Sequence, residues 1–566
     1  MRVSVPAPTD PRHLDEALSR LREGASAWAR AALPERIALA RAMLQGVART
    51  AGRAVEAACA AKGIALDSPQ AGEEWTTGPW VTARILRQLV RSLRSLERNG
   101  NTPVGALSDT VDGRLAVRVV PAEARDALVC LGVRAEVHLH EGVDERALHE
   151  SRARFYKSPD HAGKVCLVLG AGNVNSIPAA DALYKLFNEG KACLLKLNPA
   201  NGYLGPLLEE AFAQAIAQGV LAIVHGGIAE GAYLVQHPAV DEVHVTGSDR
   251  THDAIVWGPP GPERAERMAR NRPLIAKEIT SELGCITPVL VVPGPWGTST
   301  LEAQAEGVAG AVTHNASFNC TAAKLLVLPR GWTRRDAFLA AIERAMALVP
   351  PRLAWYPGAG DRYRALTEGR GDVRRAAHLD GTLPWTIVAG LDAAAEDPAF
   401  TTEAFCALLC ETSLGSEDPE EYLAQAVDFV NRRVWGTLSA QLVVHPQTLA
   451  DPRLGRAVEE AIRRLRYGTV AVNVWTGYGF ALGTTPWGAF PGSTFTDIQS
   501  GRGFVHNTLM LEHVEKTVIR HSAHTFPKPP YFPSHRTAQR LGRALFELET
   551  RGWTAAPGVV AAGIRG

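Results

Sequence analysis

No uncharged apolar run in the 566 residues approaches the ~20 needed to cross a bilayer. The opening MRVSVPAPTDPRHLDEALSR also lacks the apolar core of a secretory signal. These two absences lead to the expectation of a cytoplasmic protein with no membrane span. Charge of neither sign is in excess, with 60 Lys and Arg against 59 Asp and Glu, and no basic patch is interleaved with aromatics; no nucleic-acid partner is expected. The eight cysteines (59, 130, 166, 193, 285, 320, 406 and 410) include no CxxC pair, which argues against a disulfide scaffold or a structural metal site. Several lie in strand-like apolar runs such as KVCLVLG and KACLLKL, where cysteine acts as a small hydrophobe. There is no internal repeat and no low-complexity tract.

What is present is an ordinary globular composition, too long for one simple core, so two or three structural units are expected. Residues from about 12 to 100 read as helices: Asp10-Pro11 and Pro34 are start signals, apolar residues recur at helical spacing, and Gly100 is a stop. The stretch LAVRVVPAEARDALVCLGVRAEVHLHEGV then alternates as strands do, suiting a β arm. From Lys164 the texture becomes strand–turn–helix: KVCLVLG, PAADALYKLFNEG, KACLLKL, GPLLEEAFAQAIAQG, VLAIVHGG and EVHVTGS. That alternation predicts a parallel sheet flanked by helices. PPGPERAERMARNRP (259–273) reads as a surface excursion before a second α/β region at about 275–490.

Two turns suit phosphate. Gly170-Ala-Gly172-Asn-Val-Asn175 follows the first of these strands but lacks the third glycine of a dinucleotide fingerprint. Better placed are Gly226-Gly227 after one strand and Gly247-Ser248 after the next, where backbone amides and the Ser248 hydroxyl can hold a pyrophosphate at a helix N-terminus. A lone cysteine is ordinarily an inert buried thiol. Cys320 differs in its company: it lies in FNCTAAKLLVLP between a polar turn and an apolar run, and KEITSELGCITPVLVV sets Glu282 at the lip of another apolar strand. A thiol needs a lowered pKa or a nearby base to react, a carboxylate can activate water, and a turn amide (Asn173 or Asn175) can steady an oxyanion.

In order along the chain, GNVNSIP, LLKLNPA, HPAVDEVHVTGS, SELGC, NASFNC, EAF (403–405) and PWGAFPGS resemble the motifs of the aldehyde dehydrogenase superfamily over roughly residues 10 to 520. The resemblance implies a Rossmann-type nucleotide-binding unit (1–133 and 153–280, helical at its start), an α/β catalytic unit (281–490) and a β oligomerisation arm (134–152 and 510–522). Residues 523–566 extend beyond the family pattern with no assigned role. By position, Cys320 resembles the nucleophile, Glu282 the general base, Lys196 the ribose-binding lysine and Ser248 the pyrophosphate serine. Glu403 resembles the residue that grips the nicotinamide ribose, and Phe405 lies at the nicotinamide end. Counting back from Gly190 and Lys196 selects Asn173 as the oxyanion amide, whereas aligning Pro178 and Tyr184-Lys185-Leu186 points nearer Asn175; Asn173 is preferred. The implied reaction oxidises a small-molecule aldehyde to an acid with NAD or NADP through a cysteine thioester, in a homodimer or homotetramer.

The sequence departs from that pattern at Cys285, Ile286, His252, Cys406 and Ala407, all expected near the cofactor cleft. After Lys196 the usual NAD-selecting glutamate is absent, since Leu197-Asn198-Pro199-Ala200 carries no acid, and NADP is credible. An acyl-CoA or acyl-protein reductase of the same superfamily is the first alternative, against which Glu282 stands; a catalytically silent scaffold is the second. Trp475, Tyr478, Phe480 and Trp487 suggest an apolar entrance and a medium or long aliphatic, or aromatic, aldehyde.

Overall fold

A computed structural model describes residues 6–158, 161–376 and 379–566. The helices α1 (Pro11–Arg30), α2 (Leu33–Lys62), α3 (Ala71–Thr76) and α4 (Pro79–Asn99) come first. Asp10 caps α1 by accepting from the His13 amide, and Gly100 ends α4 in a left-handed conformation, so both boundary signals act as their chemistry dictates. Strands β1 (Leu115–Val120) and β2 (Arg134–Leu139) follow, and then the alternating region: β3 (Val165–Leu169), α5 (Ile177–Phe187), β4 (Ala192–Lys196), β5 (Leu221–Val224), α6 (Ile228–Gln236), β6 (Glu242–Gly247), α7 (Asp249–Trp257) and β7 (Glu278–Leu283). The stretch 205–219, expected as one helix, breaks at Phe212 into Gly205–Ala211 and Ala213–Ala217. There α2 passes so close that a side chain at Gly46 would overlap the Ala211 carbonyl. The excursion at 259–273 holds a short helix, Pro262–Ala269, with no buried residue.

Among the described residues, β7, β6, β3, β4 and β5 lie parallel in that spatial order, edged by the short antiparallel strand Gly501–Arg502. Chain order reverses beside β3, between it and β6. In an open parallel sheet that reversal leaves a crevice at the carboxyl ends of the strands, where ligands bind.

The second sheet is built from β8 (Pro288–Val291), β9 (Leu325–Pro329), β10 (Thr386–Leu391), β11 (Leu408–Leu414), β12 (Ser439–Val443), β13 (Thr469–Val472) and β14 (Val514–Arg520). Its order runs β1-β2-β14-β13-β12-β8-β9-β11-β10, with the short strands Leu107–Asp109 and Asp372–Arg375 at the two edges. Two boundaries drawn from sequence need correction. The arm strands β2 and β14 continue this sheet instead of standing apart, and β1, grouped by sequence with the nucleotide unit, joins them by antiparallel pairing. Glu282 is not at the start of a catalytic strand. It lies inside β7, the last parallel strand of the nucleotide sheet, opposite Thr246 of β6. Local alternation cannot reveal which sheet an edge strand joins, because only the pairing partner decides that.

Residues beyond 523, without a role from sequence, are bound firmly to the body. Helix α8 (Thr298–Thr313) receives the chain: Gln304 donates to the Ala523 carbonyl at 2.7 Å, and Glu306 accepts from the Ser534 amide at 2.9 Å. Gly310 leaves the slot that Tyr531 fills; a Cβ there would sit 2.4 Å from the Tyr531 carbonyl oxygen. The helix α9 (Ala538–Arg551) then packs over α3 and α4, and α10 (Ala556–Ile564) folds back against α9 and the short helix Asp126–Val129. Gly72 and Gly542 permit the close crossing of α3 and α9. Beneath it Arg84 of α4 is sealed from solvent between Asp126 at 2.7 Å and Glu549 of α9 at 3.1 Å. Removing one partner of a buried ion pair strands the other charge. Glu549→Ala is therefore expected to lower unfolding stability by about 3 kcal/mol, as read from urea denaturation followed by circular dichroism; an unchanged midpoint would show that the contact is not stabilising.

Candidate active site

The chain reaches Cys320 through a constrained turn. After α8, residues Asn315, Ala316 and Ser317 all adopt positive φ (54°, 54° and 70°), a conformation that side chains resist and that persists only where surroundings enforce it. The enforcement is visible. The Asn315 side-chain amide donates to the Asn173 and Phe318 carbonyls, its Oδ1 accepts from Lys62, and its backbone N–H is held by Glu73. The turn delivers Cys320, half-buried, to the floor of a cavity of about 400 Å³.

Behind the sulfur lies Glu282. Its carboxyl is buried, with Oε1 lacking a hydrogen-bond partner among the described residues. Burial, followed by the nearby Asp181 charge, pushes its pKa up to about 8, partly offset by Cys320 and Trp487 beside it. Burial and the adjacent Glu282 likewise hold the Cys320 thiol well above its ordinary range, while the Lys324 ammonium pulls it back. At rest, then, both groups favour their protonated forms, with the Lys324 ammonium working the other way on the thiol.

Sequence reasoning missed Lys324, although a lysine beside the apolar run LLVLP was its signal. Its buried ammonium donates toward the carbonyls of Cys285 (2.8 Å), Asn319 (3.0 Å) and Cys320 (3.2 Å), and pairs with Glu403 at 3.0 Å. Glu403 also accepts from the Cys285 amide at 3.2 Å. Its carboxyl presses on Gly284, where a Cβ would lie 1.9 Å from Oε2, so any larger residue there would push the Glu403 carboxyl from its place. Phe405 stands beside it at φ 41°, its ring 5.8 Å from that of Phe318 on the nucleophile turn.

The two candidate asparagines separate. Asn173 donates from Nδ2 to the Phe318 carbonyl at 3.0 Å, against the Cys320 turn. Asn175 faces the other way, donating to Glu74 at 2.9 Å and accepting from Tyr203 at 3.0 Å. Cys285 is a free thiol whose sulfur contacts the Ser439 carbonyl and the Thr287 amide, in a packing role.

The remaining predicted residues gather at the carboxyl edge of the parallel sheet. Lys196 ends β4. Gly226 and Gly227 lead from β5 into α6, with Gly227 as its N-cap and Glu230 accepting from the Gly227 amide at 2.6 Å. Gly247 ends β6, and Ser248 caps α7 by accepting from the Thr251 amide at 3.2 Å. A Cβ at Gly247 would meet nothing closer than 4.0 Å, so the backbone there is open to an incoming group. Ile228, at the first turn of α6, is 93 % exposed, an apolar side chain offered to solvent beside that cradle. His252 is fully buried, so it fills the core under α7 and does not narrow the turn.

Residues 165–351 match the family described as the aldehyde dehydrogenase family. Over that third of its length the chain is similar to aldehyde dehydrogenases. Among its curated relatives, N-succinylglutamate 5-semialdehyde dehydrogenase 1 of Caulobacter vibrioides is 29 % identical over 228 residues, covering 40 % of this chain and 43 % of the relative. The 4-trimethylaminobutyraldehyde dehydrogenase of Homo sapiens is 32 % identical over 132 residues, 22 % of this chain and 23 % of the relative. The aligned stretches thus span less than half the length of these curated relatives. In fold, the chain resembles the NADP-dependent glyceraldehyde-3-phosphate dehydrogenase of Bacillus halodurans C-125 complexed with NADP (TM-score 0.59, 16 % identity, 90 % of this chain and 92 % of that one). It also resembles an indole-3-acetaldehyde dehydrogenase in complex with NAD+ (TM-score 0.57, 18 % identity, 91 % and 90 %). The likeness in fold therefore extends beyond the stretch that sequence alone can align. Among the described residues, no helix is long and apolar enough to cross a membrane.

If Lys324 tunes the sulfur, Lys324→Met is expected to move the pH midpoint of Cys320 alkylation by iodoacetamide upward by about one unit, and Lys324→Arg to restore most of it. An unmoved midpoint in the methionine variant would remove Lys324 from the site.

Proposed function

We propose that the chain is an NAD(P)-dependent aldehyde dehydrogenase that converts an aldehyde to a carboxylic acid. The observation that carries this reading is the buried carboxyl of Glu282 beside the Cys320 thiol, its Oε1 without a hydrogen-bond partner among the described residues. Cys320 adds to the aldehyde carbon as a thiolate. Asn173, already donating toward the nucleophile turn, supplies an amide hydrogen to the oxyanion. A nicotinamide dinucleotide held near Glu403 and Phe405 would supply the hydride acceptor for that carbon. Glu282 then takes a proton from water, whose oxygen attacks the thioester and frees the acid and the Cys320 sulfur. The same carboxyl argues against the acyl-CoA reductase alternative, because a base beside the sulfur drains the thioester to water.

The residues fit such a cofactor. Lys196 at the end of β4, the open backbone at Gly247, and the two helix N-termini capped by Gly227 and Ser248 form a cradle for a ribose and a pyrophosphate. Ile228 offers apolar surface to a flat base. Glu403 and Phe405 are assigned to the nicotinamide end. NAD and NADP both remain compatible with the acid-free stretch after Lys196. The eight free thiols suit a reducing, cytoplasmic compartment, and the sheet edge beyond β1 offers a surface for a homo-oligomer.

Glu282→Gln is expected to retain a first-turnover burst of reduced cofactor while steady acid release falls at least about a hundredfold. In the wild type, acid release should rise with pH and level off above about 8, as Glu282 loses its proton. The folded state binds this proton more tightly than the unfolded chain, so stability contributed at low pH is lost as pH rises from 4.5 through about 8. Glu282→Gln should flatten that decline in thermal melts. A pH-independent rate would contradict the assignment. Asn173→Ala should cost about 10²–10³ in kcat, whereas Asn175→Ala should chiefly lower the melting temperature; the reverse result would exchange their roles.

A further inference from the structure

We infer that the C-terminal segment from Phe526 to Ile564 is the substrate-specificity element of this site, and that it selects a long, uncharged, apolar aldehyde. The inference rests on the dehydrogenase reading and adds the chemistry of the substrate. Cys320 lies at the floor of the cavity of about 400 Å³, with Val174, Ile177 and Trp475 as walls. The far wall and mouth come from the C-terminal segment: Tyr531, Leu545, Val560 and Ile564 line it, together with the proline run 527–530. A cavity of this size, with few polar groups, accepts a ligand larger than a two- or three-carbon aldehyde.

Charge is sparse in it. Among the described residues the lining contains no Asp, Glu or Arg, and the ammonium of its one lysine, Lys528 near the mouth, donates to Ser534 at 2.7 Å. His314 packs its ring 4.8 Å from that of Trp475, both buried. An aldehyde bearing a carboxylate or phosphate would lose hydration against the apolar walls and find Lys528, already held by Ser534, as the one lysine in return. At the mouth the apolar character continues outward: Leu131 (54 % exposed), Phe526 (77 %), Val560 (45 %) and Ile564 (59 %) are all large hydrophobic residues facing solvent. Clustered exposed apolar side chains around a cavity mark a binding surface.

The segment is also tied to the reacting sulfur. The Tyr531 hydroxyl accepts from the Trp475 amide at 3.3 Å, and the Trp475 indole donates to the Thr321 carbonyl at 2.8 Å, one residue past Cys320. Substrate pressing on Tyr531 and Trp475 therefore bears on the turn that holds the nucleophile.

The test is kcat/KM for the full-length enzyme with straight-chain aldehydes of two to twelve carbons, with glutaric semialdehyde as a charged probe, each assayed with NAD and NADP. The expected gain is about fourfold per added methylene until the chain fills the cavity, with pentanal at least a hundredfold better than glutaric semialdehyde. Equal use of acetaldehyde and octanal, or of pentanal and glutaric semialdehyde, would overturn the inference. The double variant Val560→Glu, Ile564→Glu changes two solvent-facing positions and should fold normally. Its preference for octanal over acetaldehyde should fall at least tenfold with dinucleotide binding unchanged; an unaltered preference would remove the segment from specificity. A second readout separates this inference from the reading beneath it. In Cys320→Ala protein, 1-octanol should quench tryptophan fluorescence saturably, at concentrations at least a hundredfold below ethanol. Octanol binding without turnover of any aldehyde would defeat the dehydrogenase reading and keep the apolar chamber, whereas turnover without preferential octanol binding would do the opposite.

Discussion

Lys324 carries a positive charge into the seam between the two sheets, and the geometry of the site depends on that one buried ammonium. β7 ends the nucleotide sheet with Glu282 and Leu283, and β8 begins its place in the catalytic sheet at Pro288. Lys324, just ahead of β9, holds the intervening Cys285 carbonyl, the Asn319 and Cys320 carbonyls, and the Glu403 carboxylate at once. A charge so buried is tolerable only when ringed by acceptors. That requirement brings three separate stretches of chain to one point. It also sets Cys320 within reach of a cation while Glu282 stands on the other side.

Desolvation then does the chemical tuning. A carboxyl and a thiol taken out of water both resist ionisation; the Glu282 charge raises the thiol further, while the thiol's hydrogen bond eases the shift of Glu282. The resting pair is therefore neutral, which lowers the cost of sealing it behind the chamber. The thiolate and the carboxylate arise only as the reaction calls for each, with Lys324 and the polar turn stabilising one and water entering beside the other. A raised carboxyl pKa near the working pH is what a general base needs, because a base that is too weak does not accept a proton and one that is too strong does not release it.

Specificity is supplied from a different quarter. The residues around Cys320 are held by buried polar contacts and leave little freedom, whereas the outer chamber is made of hydrocarbon on the crossing helices α9 and α10. Those helices owe their position to interactions remote from the sulfur: the glycine-permitted crossing at Gly72 and Gly542, and the sealed Arg84–Glu549 pair. Chemistry and substrate choice are thus anchored by separate contacts, so the chamber can vary in shape without displacing the nucleophile.

Much of this was legible in the linear chain. Helix boundaries at Asp10 and Gly100, the alternation of strands and helices, and the candidacy of Cys320, Glu282 and Ser248 follow from local signals, because capping, periodicity and turn chemistry act over a few residues, whereas Lys196 stood out only by the family resemblance. The strand that holds Glu282, the separation of Asn173 from Asn175, the partnership of Lys324 with Glu403 and the return of residues 526–564 over the cavity were not legible. Each depends on contacts between residues from tens to hundreds of positions apart, and no local preference specifies which distant surface a buried charge or an apolar helix face will meet. The sequence determined which groups were available to react; tertiary packing decided which of them share one desolvated space, and so which can act together.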